Sequence, residues 1–429
     1  MNKYCLPALL LSIILLSSCS ISKRIDHPAN KYILQDAHFT NAHTGISIYE
    51  PSTGKYWYNY QAEKYFTPAS NTKLATCYAA MKYLGDSLVG LKYNEINDST
   101  VVIKGMGDPS FLHSDFTNNP VFNFLKKYKL IQIVNPGFKD YLGSGWGWDD
   151  YLEDYMAQRS AFPFHGNTVM VDWVNDHSLS FLPSYFGKRS LIKGSLSRGY
   201  EVSRPWDLND FTFKNGKTKH SEIPFIPDEE TLRQLLQDTL HTQVVTIEKF
   251  SGEINKIIHS QPTDSVLKPM MHRSDNFFAE QNLLMVSEKL LGIMSDRKII
   301  ETLLETDYKL MPQKPNWVDG CGLSRYDLFS PKDFIFILNK MKDDFGMDRI
   351  KNILPTGGTG TISSYYLKDS GYIFVKTGTL NGVVALSGFL YTQKNKLLIF
   401  SVLVNNHRGS ATGIRKGIEK FIQDIRDKY

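Results

Sequence analysis

The sequence predicts an α/β fold in which an antiparallel sheet is flanked by helices and carries a long inserted region of additional β-rich domains. Three observations support this prediction. Hairpin patterns lie near both ends of the chain, over 46–60 and 383–404. Apolar residues at helical spacing follow the first hairpin and occur again at the C-terminus. Between these segments, residues 91–261 hold short β-like runs and many turns without an internal repeat.

Length and composition are those of a globular protein with a substantial core. The chain has 429 residues, of which 42% are hydrophobic and 22% charged. The net charge of +5 comes without a long Lys/Arg block, so we expect no nucleic-acid binding. Of the four cysteines, only Cys77 and Cys321 fall in the predicted folded body. This number is too small for a disulfide framework and leaves at most one bridge.

The N-terminus has the pattern of an export signal. A basic residue precedes an apolar stretch at 6–16, which is too short for a membrane span. The sequence Leu16-Ser17-Ser18-Cys19 resembles the bacterial lipobox, in which the cysteine becomes the lipidated first residue. We therefore expect a lipoprotein signal peptide at 1–18, a lipid anchor at Cys19 and a tether at 19–30. An ordinary signal peptide is the alternative. The serine that follows Cys19 favours the outer membrane, facing the periplasm.

The first predicted elements lead to a serine. Ile46 and Ile48 alternate with polar residues, 51–54 is a turn, and 55–60 runs back as the second hairpin strand. A helix follows and ends near Gly85, with apolar residues at helical spacing, namely Leu74, Cys77, Tyr78, Met81 and Leu84. Ser70 therefore lies at the start of this helix.

The inserted region and the C-terminal part have their own patterns. Strands are predicted at 101–104 and 169–174, and a leucine-rich helix at 232–240. The strand predicted at 244–247 is expected to return to the core. Near the C-terminus a hairpin turns at 393–396. The last helix has an apolar stripe formed by Ile414, Ile418, Phe421, Ile422 and Ile425.

Three short motifs follow one another in a fixed order, namely Ser70-Asn71-Thr72-Lys73, Ser274-Asp275-Asn276 and Lys376-Thr377-Gly378. The second and third motifs each occur once. The first is weak by itself, because Ser-x-x-Lys also begins at Ser20, Ser52, Ser190, Ser265 and Ser295. The ordered set is typical of penicillin-binding proteins and serine β-lactamases, in which a D-alanyl peptide or a β-lactam acylates the serine.

The motif residues are suited to acyl transfer. One helical turn separates Ser70 from Lys73, so the two side chains share a face, and the helix N-terminus offers amides to an oxyanion. A serine nucleophile needs a base, and the chain has no Gly-x-Ser-x-Gly elbow. We expect Lys73 to be the base if burial or the charge of Lys376 destabilises its ammonium. Ser274 would relay a proton to the leaving amine, and Asn276 would hold the substrate amide.

The third motif is expected to bind the end of the substrate. Lys376, Thr377 and Thr379 would bind a terminal carboxylate. Gly378 would let the substrate lie close to the strand, since a side chain there would obstruct it. The chain has no His-Glu-x-x-His motif and no paired-cysteine spacing, so we expect neither a metal nor a cofactor.

Beyond these motifs, the chain resembles the peptidase S13 family of class C low-molecular-mass penicillin-binding proteins. The resemblance covers most of the mature chain and includes 107–110, 148–150, 274–280, 319–325, 360–361 and 404–406. It implies a penicillin-recognising core, similar to that of β-lactamases and transpeptidases, formed by 31–90 plus 262–429. The inserted domains would occupy 91–261. The resemblance also implies that the amides of Ser70 and Thr379 form an oxyanion hole.

The same resemblance implies a serine-type D-Ala-D-Ala carboxypeptidase and endopeptidase. Its substrates would be peptidoglycan stem peptides, cleaved through an acyl-serine intermediate, and β-lactam antibiotics would inhibit it. Two departures bear on substrate preference rather than on acylation. Cys321 stands where the family usually has serine, and 357–361 departs from the usual Gly-x-Asp-Gly-Thr form.

Two other functions stay open. A serine β-lactamase would use the same motifs, but the long insertion argues against a compact lactamase. In addition, no Glu-x-x-x-Asn pair follows the second motif where a lactamase would have it. A catalytically silent, lipid-anchored cell-wall-binding protein would keep the fold as a scaffold, although the intact motifs argue against it.

Overall fold

The structure is a computed structural model, and it describes residues 22–135 and 137–429. The predicted signal peptide and Cys19 lie outside the described residues. Within the described ranges, no helix combines the length and the apolar character needed to cross a membrane.

The described residues form sixteen strands, most of them between residues 87 and 262. In chain order they are β1 (His43–Glu50), β2 (Lys55–Tyr60), β3 (Ser87–Asn97), β4 (Thr100–Gly105), β5 (Leu130–Val134), β6 (Thr168–Asn175), β7 (Ser178–Leu182), β8 (Ser190–Lys193), β9 (Tyr200–Ser203), β10 (Phe211–Asn215), β11 (His220–Pro224), β12 (Gln243–Ile247), β13 (Lys256–Pro262), β14 (Ile373–Leu380), β15 (Val383–Tyr391) and β16 (Leu397–Asn405).

The helices lie mainly outside the inserted region. They are α1 (22–29 among the described residues, continued by a π-helical turn at Asn30–Leu34), α2 (Lys73–Tyr83), α3 (Pro120–Leu125), α4 (Glu229–Leu240), α5 (Thr263–His272), α6 (Asn276–Leu291), α7 (Asp296–Glu305), α8 (Pro331–Ile353) and α9 (Ala411–Lys428).

One antiparallel sheet organises the part of the chain that carries the motifs. Its strand order is β14-β15-β16-β1-β2, so β14 forms an edge. Alternate side chains of these strands face two different cores. On one face Leu403 and Ala385 pack in a core with α2, α5, α6 and α8, and on the other Val402 and Val384 pack in a core with α9. The predicted antiparallel sheet flanked by helices is confirmed.

Elements with a strong local pattern are confirmed as well. The first hairpin is β1 and β2, the second is β15 and β16, and the predicted helices are α2, α4 and α9. All five apolar stripe residues of α9 are buried. These elements were accessible from sequence because their apolar period matches the face that they bury.

The region between α2 and α5 contains a second five-stranded sheet and two three-stranded sheets. The five-stranded sheet has the order β12-β5-β4-β3-β13, and it shares with the three-stranded sheets an apolar core that is separate from the two cores of the first sheet. The expectation that 244–247 returns to the main core is wrong. This segment is β12, which pairs in parallel with β5, and Val244 is buried in the core of the inserted sheet. The chain returns through β13 and α5 instead.

The described part of the predicted tether is not an open linker. Residues 22–29 are helical, and Ile25 and Ala29 are fully buried together with Ile33 of the following π-helical turn. These three residues recur every four positions and pack in the same core as α9. Three apolar residues among many polar ones were too weak a pattern for a sequence-based prediction.

The two cysteines of the folded body do not form a bridge. Cys77 and Cys321 are both buried free thiols. Cys77 packs within α2 in the main core, and Cys321 lies in the loop between α7 and α8.

Candidate active site

Ser70 lies in a tight turn that opens α2. The turn is a 3-10 helix at Ala69–Thr72, and α2 continues from Lys73. Ala69 has a left-handed backbone with a φ of 49°, which is uncommon for a residue with a side chain. The Thr72 hydroxyl donates to the Ala69 carbonyl over 3.0 Å and fastens this conformation. The sequence prediction that Ser70 stands at a helix start is confirmed.

The Lys73 amine is fully buried and has three neighbours. Its Nζ lies 3.0 Å from Ser70 Oγ, 2.6 Å from Asn276 Oδ1 and 2.7 Å from the carbonyl oxygen of Cys321. The amide and carbonyl oxygens can only accept hydrogen bonds. A neutral amine that donates to both has its lone pair left for the third neighbour, the Ser70 hydroxyl.

Burial lowers the pKa of Lys73, against the opposing attraction of the Asp319, Asp275 and Glu280 carboxylates. Lys376 is also fully buried, and burial followed by the charge of Lys73 lowers its pKa well below the ordinary value. The sequence predicts that either burial or the charge of Lys376 destabilises the Lys73 ammonium. Burial is the larger cause for both lysines, and it favours the neutral form that a base requires.

The second motif lies in the loop between α5 and α6. Asp275 caps α6, because its Oδ1 accepts from the amide of Phe278 over 2.9 Å. This leaves Ser274 and Asn276 for other contacts. Ser274 has a left-handed φ of 64°, a strain of about 1–3 kcal/mol that clusters at functional sites. Its Oγ accepts from Lys376 Nζ over 2.8 Å, and Asn276 Nδ2 donates to the carbonyl oxygen of Tyr155 over 2.8 Å.

The third motif lies on the edge strand β14 beside the Ser70 turn. The Val375 amide donates outward from the sheet to Pro355 O over 3.0 Å. Because amide directions alternate along a strand, the amides of Thr377 and Thr379 point to the same open edge. The Thr377 hydroxyl donates to Thr361 Oγ1 over 2.8 Å. The structure thus brings all eight motif residues predicted from sequence, from Ser70 to Thr379, around one cleft edge.

A side chain at position 378 would first meet the protein itself, whereas the sequence predicts that it would obstruct the substrate. A Cβ at this position would lie 2.6 Å from the carbonyl oxygen of Pro68 and 3.1 Å from the Ala69 Cβ. The first distance is shorter than real Cβ contacts, and the atom met is backbone, which cannot move aside cheaply. The glycine therefore lets β14 pack against the turn that carries Ser70, whether or not a substrate is bound.

A buried ionic network behind Lys73 was missed by the motif analysis. Arg159 Nη1 donates to Glu280 Oε2 over 3.1 Å and to Asp296 Oδ2 over 2.5 Å. Asp319 accepts from the amides of Gly322 and Ser324 over 2.6 and 2.7 Å and so shapes the loop whose Cys321 carbonyl faces Lys73. The available signal was the family resemblance at 274–280 and 319–325, which gave no roles.

Three of these buried groups have the composition of a metal site. Donor atoms of Glu280, Asp319 and Cys321 lie within 4.8 Å of one another. Most of the donor atoms are already engaged: Asp319 accepts from the loop amides and the Trp146 indole, and Glu280 Oε2 accepts from Arg159. Only Glu280 Oε1 has no hydrogen-bond partner among the described residues. Burial also raises the pKa of the Cys321 thiol well above its ordinary value, which disfavours the thiolate that a metal needs. We interpret the group as a hydrogen-bonded network that orients the Cys321 carbonyl.

The chain is similar in sequence and in fold to known proteins. Penicillin-sensitive carboxypeptidase A of Dictyostelium discoideum is 22% identical over 447 residues, covering 87% of this chain and 85% of that protein. The fold matches the crystal structure of penicillin binding protein 4 of Haemophilus influenzae with a TM-score of 0.72 at 19% identity, covering 93% of this chain and 98% of that one. That protein has also been solved with a β-lactam.

A second structural likeness is more distant. A predatory peptidoglycan endopeptidase of Bdellovibrio bacteriovorus matches with a TM-score of 0.54 at 13% identity, covering 90% of this chain and 94% of that one. The model of the D-Ala-D-Ala carboxypeptidase 3 (S13) family matches residues 29–184 and 227–425, which is most of the sequence. The chain therefore belongs to the D-Ala-D-Ala carboxypeptidase 3 (S13) family and is a serine-type carboxypeptidase.

Proposed function

We propose that this carboxypeptidase removes the terminal D-alanine from peptidoglycan stem peptides through an acyl-Ser70 intermediate. The observation that carries the proposal is the surroundings of Lys73. Its Nζ lies 3.0 Å from Ser70 Oγ, and its two other neighbours are oxygens that only accept hydrogen bonds. This arrangement suits a neutral amine that takes the Ser70 proton.

Acylation would begin when Ser70 Oγ attacks the carbonyl carbon of the penultimate D-alanine. The Ser70 proton passes to Lys73 as the new bond forms. The carbonyl oxygen becomes negative and is stabilised by the amides of Ser70 and Thr379. Two observations support this role. The Thr379 amide shares the outward direction of the Val375 amide on β14, and β14 packs against the turn that carries Ser70.

Collapse of the tetrahedral intermediate would release D-alanine. Ser274 gives its hydroxyl proton to the leaving nitrogen and takes one from Lys376, which lies 2.8 Å from its oxygen. A substrate carboxylate bound near Thr377 and Thr379 favours the protonated form of Lys376 that this step requires. Asn276 holds the substrate amide while also fixing Lys73.

Deacylation would reverse these proton movements. A water molecule attacks the Ser70 ester and gives its proton to Ser274, which returns one to Lys376. The released Ser70 oxygen takes its proton back from Lys73. The products are a shortened stem peptide and the enzyme in its starting protonation state.

A β-lactam would acylate Ser70 in the same way, and its cleaved ring would stay attached as part of the adduct. The names of two similar proteins support inhibition, since one is a penicillin-sensitive carboxypeptidase and another a penicillin binding protein. The experiment is labelling of the purified protein with a fluorescent penicillin, followed by intact mass over time. We expect a stable adduct that is absent from Ser70→Ala and present in the matched control Ser197→Ala, which changes an exposed serine of the inserted region.

The same measurement separates the alternatives. Rapid release of hydrolysed penicillin would favour a serine β-lactamase. Retained cell-wall binding with no adduct would favour a catalytically silent wall-binding protein. The burial of Lys73 supports the catalytic function over the silent one, because taking an amine out of water costs folding free energy and a scaffold has no need of a buried lysine here.

We also propose endopeptidase activity on cross-linked peptides, supported by the endopeptidase with a similar fold. The open edge of β14 leaves room for an extended chain beside the cleft. Incubation with a purified cross-linked muropeptide dimer tests this activity. Appearance of the monomers would support it, and release of D-alanine alone would restrict the enzyme to carboxypeptidase activity.

We propose that the protein acts in the bacterial envelope, exported and lipid-anchored at Cys19 in the outer membrane. The lipobox-like sequence supports the anchor, and the substrate class supports an envelope location. Mass analysis of the mature N-terminal peptide tests this proposal. A diacylated or triacylated Cys19, lost together with membrane association in Cys19→Ser, is the expected result, and an unmodified N-terminus elsewhere would contradict it.

We propose that 31–90 plus 262–429 form the catalytic domain and that 91–261 form the inserted domains. The separate sheets and apolar core of the inserted region support this division. The chain enters the second sheet at Ser87, the first residue of β3, and leaves it at Pro262, the last residue of β13. Limited proteolysis tests the division, which predicts the first cleavages in exposed loops of the inserted region.

A further inference from the structure

The end of the cleft that would receive a terminal carboxylate offers few free donors from the third motif. Lys376 Nζ donates to Ser274 Oγ and to the carbonyl oxygen of Thr377, and its side chain is fully buried. The Thr377 hydroxyl donates to Thr361. Burial also lowers the pKa of Lys376, which weakens it as a permanent positive charge. A carboxylate here would benefit from a cation outside the motif.

Arg415 supplies such a cation from a distant part of the sequence. It lies in the second turn of α9, on the sheet face opposite α2. Its Nη2 donates to Thr379 Oγ1 over 2.8 Å. Arg415 also lines the same small recess as Thr361 and Thr377. The guanidinium therefore stands directly beside the hydroxyls expected to bind the carboxylate.

The charge of Arg415 is unpaired within the described residues. No carboxylate of residues 22–135 or 137–429 lies within 4.0 Å of its guanidinium. The other half-buried arginines of the described residues are paired, as Arg233 is with Glu230 and Arg349 with Asp264. A half-buried arginine with one neutral partner keeps most of its five N–H donors for a ligand.

We propose that Arg415 binds the C-terminal carboxylate of the substrate, together with the hydroxyl of Thr379. This role rests on the proposed function, because it concerns the same cleft. The planar guanidinium can form two parallel hydrogen bonds with a carboxylate, whereas a lysine would act as a point charge. Arg415 thus selects substrates with a free terminal carboxylate, and it is a specificity-determining residue rather than a participant in proton transfer.

Arg415 comes from α9, the last helix of the chain, and its placement beside the cleft depends on the packing of that helix. Ile414 and Ile418, on either side of it in sequence, are buried against the sheet. Their burial fixes the helix and directs Arg415 along the sheet face toward β14. A stripe of apolar residues that secures a terminal helix therefore also delivers a charged side chain to the cleft.

Binding can be measured without catalysis in the full-length Ser70→Ala protein. The ligands are a peptide ending in D-Ala-D-Ala with a free carboxylate and the same peptide as a C-terminal amide. We expect Arg415→Ala to weaken binding of the acid by about 10- to 100-fold, because a charge-assisted hydrogen-bonded pair is lost. Binding of the amide should change far less, so the ratio of the two affinities, acid over amide, should fall. Arg415→Lys should keep part of the preference.

The matched control is Lys416→Ala, which removes an exposed positive charge from the next position of α9. It should leave the acid-to-amide preference as in the parent. An equal loss for acid and amide in Arg415→Ala would mean that Arg415 only supports the local structure, and an unchanged preference would show that it does not bind the carboxylate. Both results overturn the proposal.

The two proposals can fail separately. Penicillin labelling of the protein with Ser70 intact reports on the acyl-serine mechanism, and peptide binding to the Ser70→Ala background reports on Arg415. If labelling fails while the acid preference depends on Arg415, the carboxylate site stands and the acylation mechanism falls. If labelling succeeds while the preference ignores Arg415, only the carboxylate assignment is wrong.

Discussion

The amine nitrogen of Lys376 lies 2.8 Å from Ser274 Oγ, so the third motif hydrogen-bonds directly to the second. Lys73 joins the first motif to the second in the same way, through Asn276 Oδ1 at 2.6 Å. Two buried lysines therefore hold the two ends of the Ser274–Asn276 segment. Their mutual repulsion and their burial both disfavour a state in which each carries a proton.

Acylation of Ser70 should accelerate as pH rises. Burial lowers the pKa of Lys73 from its ordinary value of 10.5, and only the neutral amine can accept the Ser70 proton. The second-order acylation rate by penicillin should therefore rise through the lowered pKa and level off above it. Lys73→Arg should reduce the rate by at least about 100-fold, because a guanidinium cannot serve as a base. A flat profile between pH 5 and pH 10 would rule Lys73 out.

Lys376→Met should stabilise the fold while impairing acylation. Because burial lowers the pKa of Lys376 well below 10.5, the unfolded chain binds more protons than the folded one between the two values. The free energy of unfolding therefore rises as pH rises through that window. The methionine removes this dependence and should add about 0.5–2 kcal/mol at pH 7. Urea unfolding at pH 7 and pH 9.5 measures the added stability and the lost pH dependence. A destabilised variant with unchanged pH dependence would contradict this explanation.

Gly378→Ala should separate β14 from the Ser70 turn. The added methyl would stand 2.6 Å from Pro68 O, so the strand or the turn must shift. We expect a loss of about 1–3 kcal/mol in unfolding free energy and a fall in penicillin acylation. Gly409→Ala is the control, since its Cβ would meet only ordinary contacts, the nearest at 3.5 Å from His38 O. Equal behaviour of the two variants in denaturation and labelling would refute the packing explanation.

Glu280 should make stability depend on pH near neutrality. Burial, then the neighbouring Asp319, raise the pKa of Glu280 to about 7, and these effects outweigh the attraction of Arg159. Since the ordinary value is 4.5, the folded state binds more protons between pH 4.5 and 7, and stability falls as pH rises through this window. Glu280→Gln should flatten that part of the profile. Chemical denaturation at pH 5 and pH 7.5 tests it, and an unaltered slope would assign the dependence to other groups.

Cys321→Ser should leave acylation nearly unchanged. The Cys321 main-chain carbonyl, not its thiol, accepts from Lys73 over 2.7 Å. The loop is held instead by Asp319, whose carboxylate accepts from the amides of Gly322 and Ser324. Asp319→Asn would turn an amide NH2 toward one of these donors and should cost about 1–3 kcal/mol with a loss of acylation. Labelling rates and melting temperatures of the two variants check the contrast. Strong inactivation by Cys321→Ser would mean that the thiol itself matters.

The elements and motifs that the sequence predicts correctly are those with a local signal. The Ser70 to Lys73 spacing, the helical period of α2 and the alternation in β1 and β15 each depend on a few neighbouring residues. The features that the sequence does not predict are those that depend on contacts with residues far along the chain. Nothing within 244–247 says which strand it pairs with, and three apolar residues in α1 become a helix face only because α9 offers them a surface.

The sequence by itself determined the three motifs, their order and the helix that sets Ser70 beside Lys73, because these follow from residue type and from a period of 3.6. The tertiary structure alone decided the electrostatics and the close contacts. Burial of Lys73 and Lys376, the approach of Gly378 to Pro68, the Cys321 carbonyl and the arrival of Arg415 beside Thr379 all join residues far apart in the chain. The physical reason is that desolvation and packing depend on everything that surrounds a group, whereas sequence spacing describes only its neighbours along the chain.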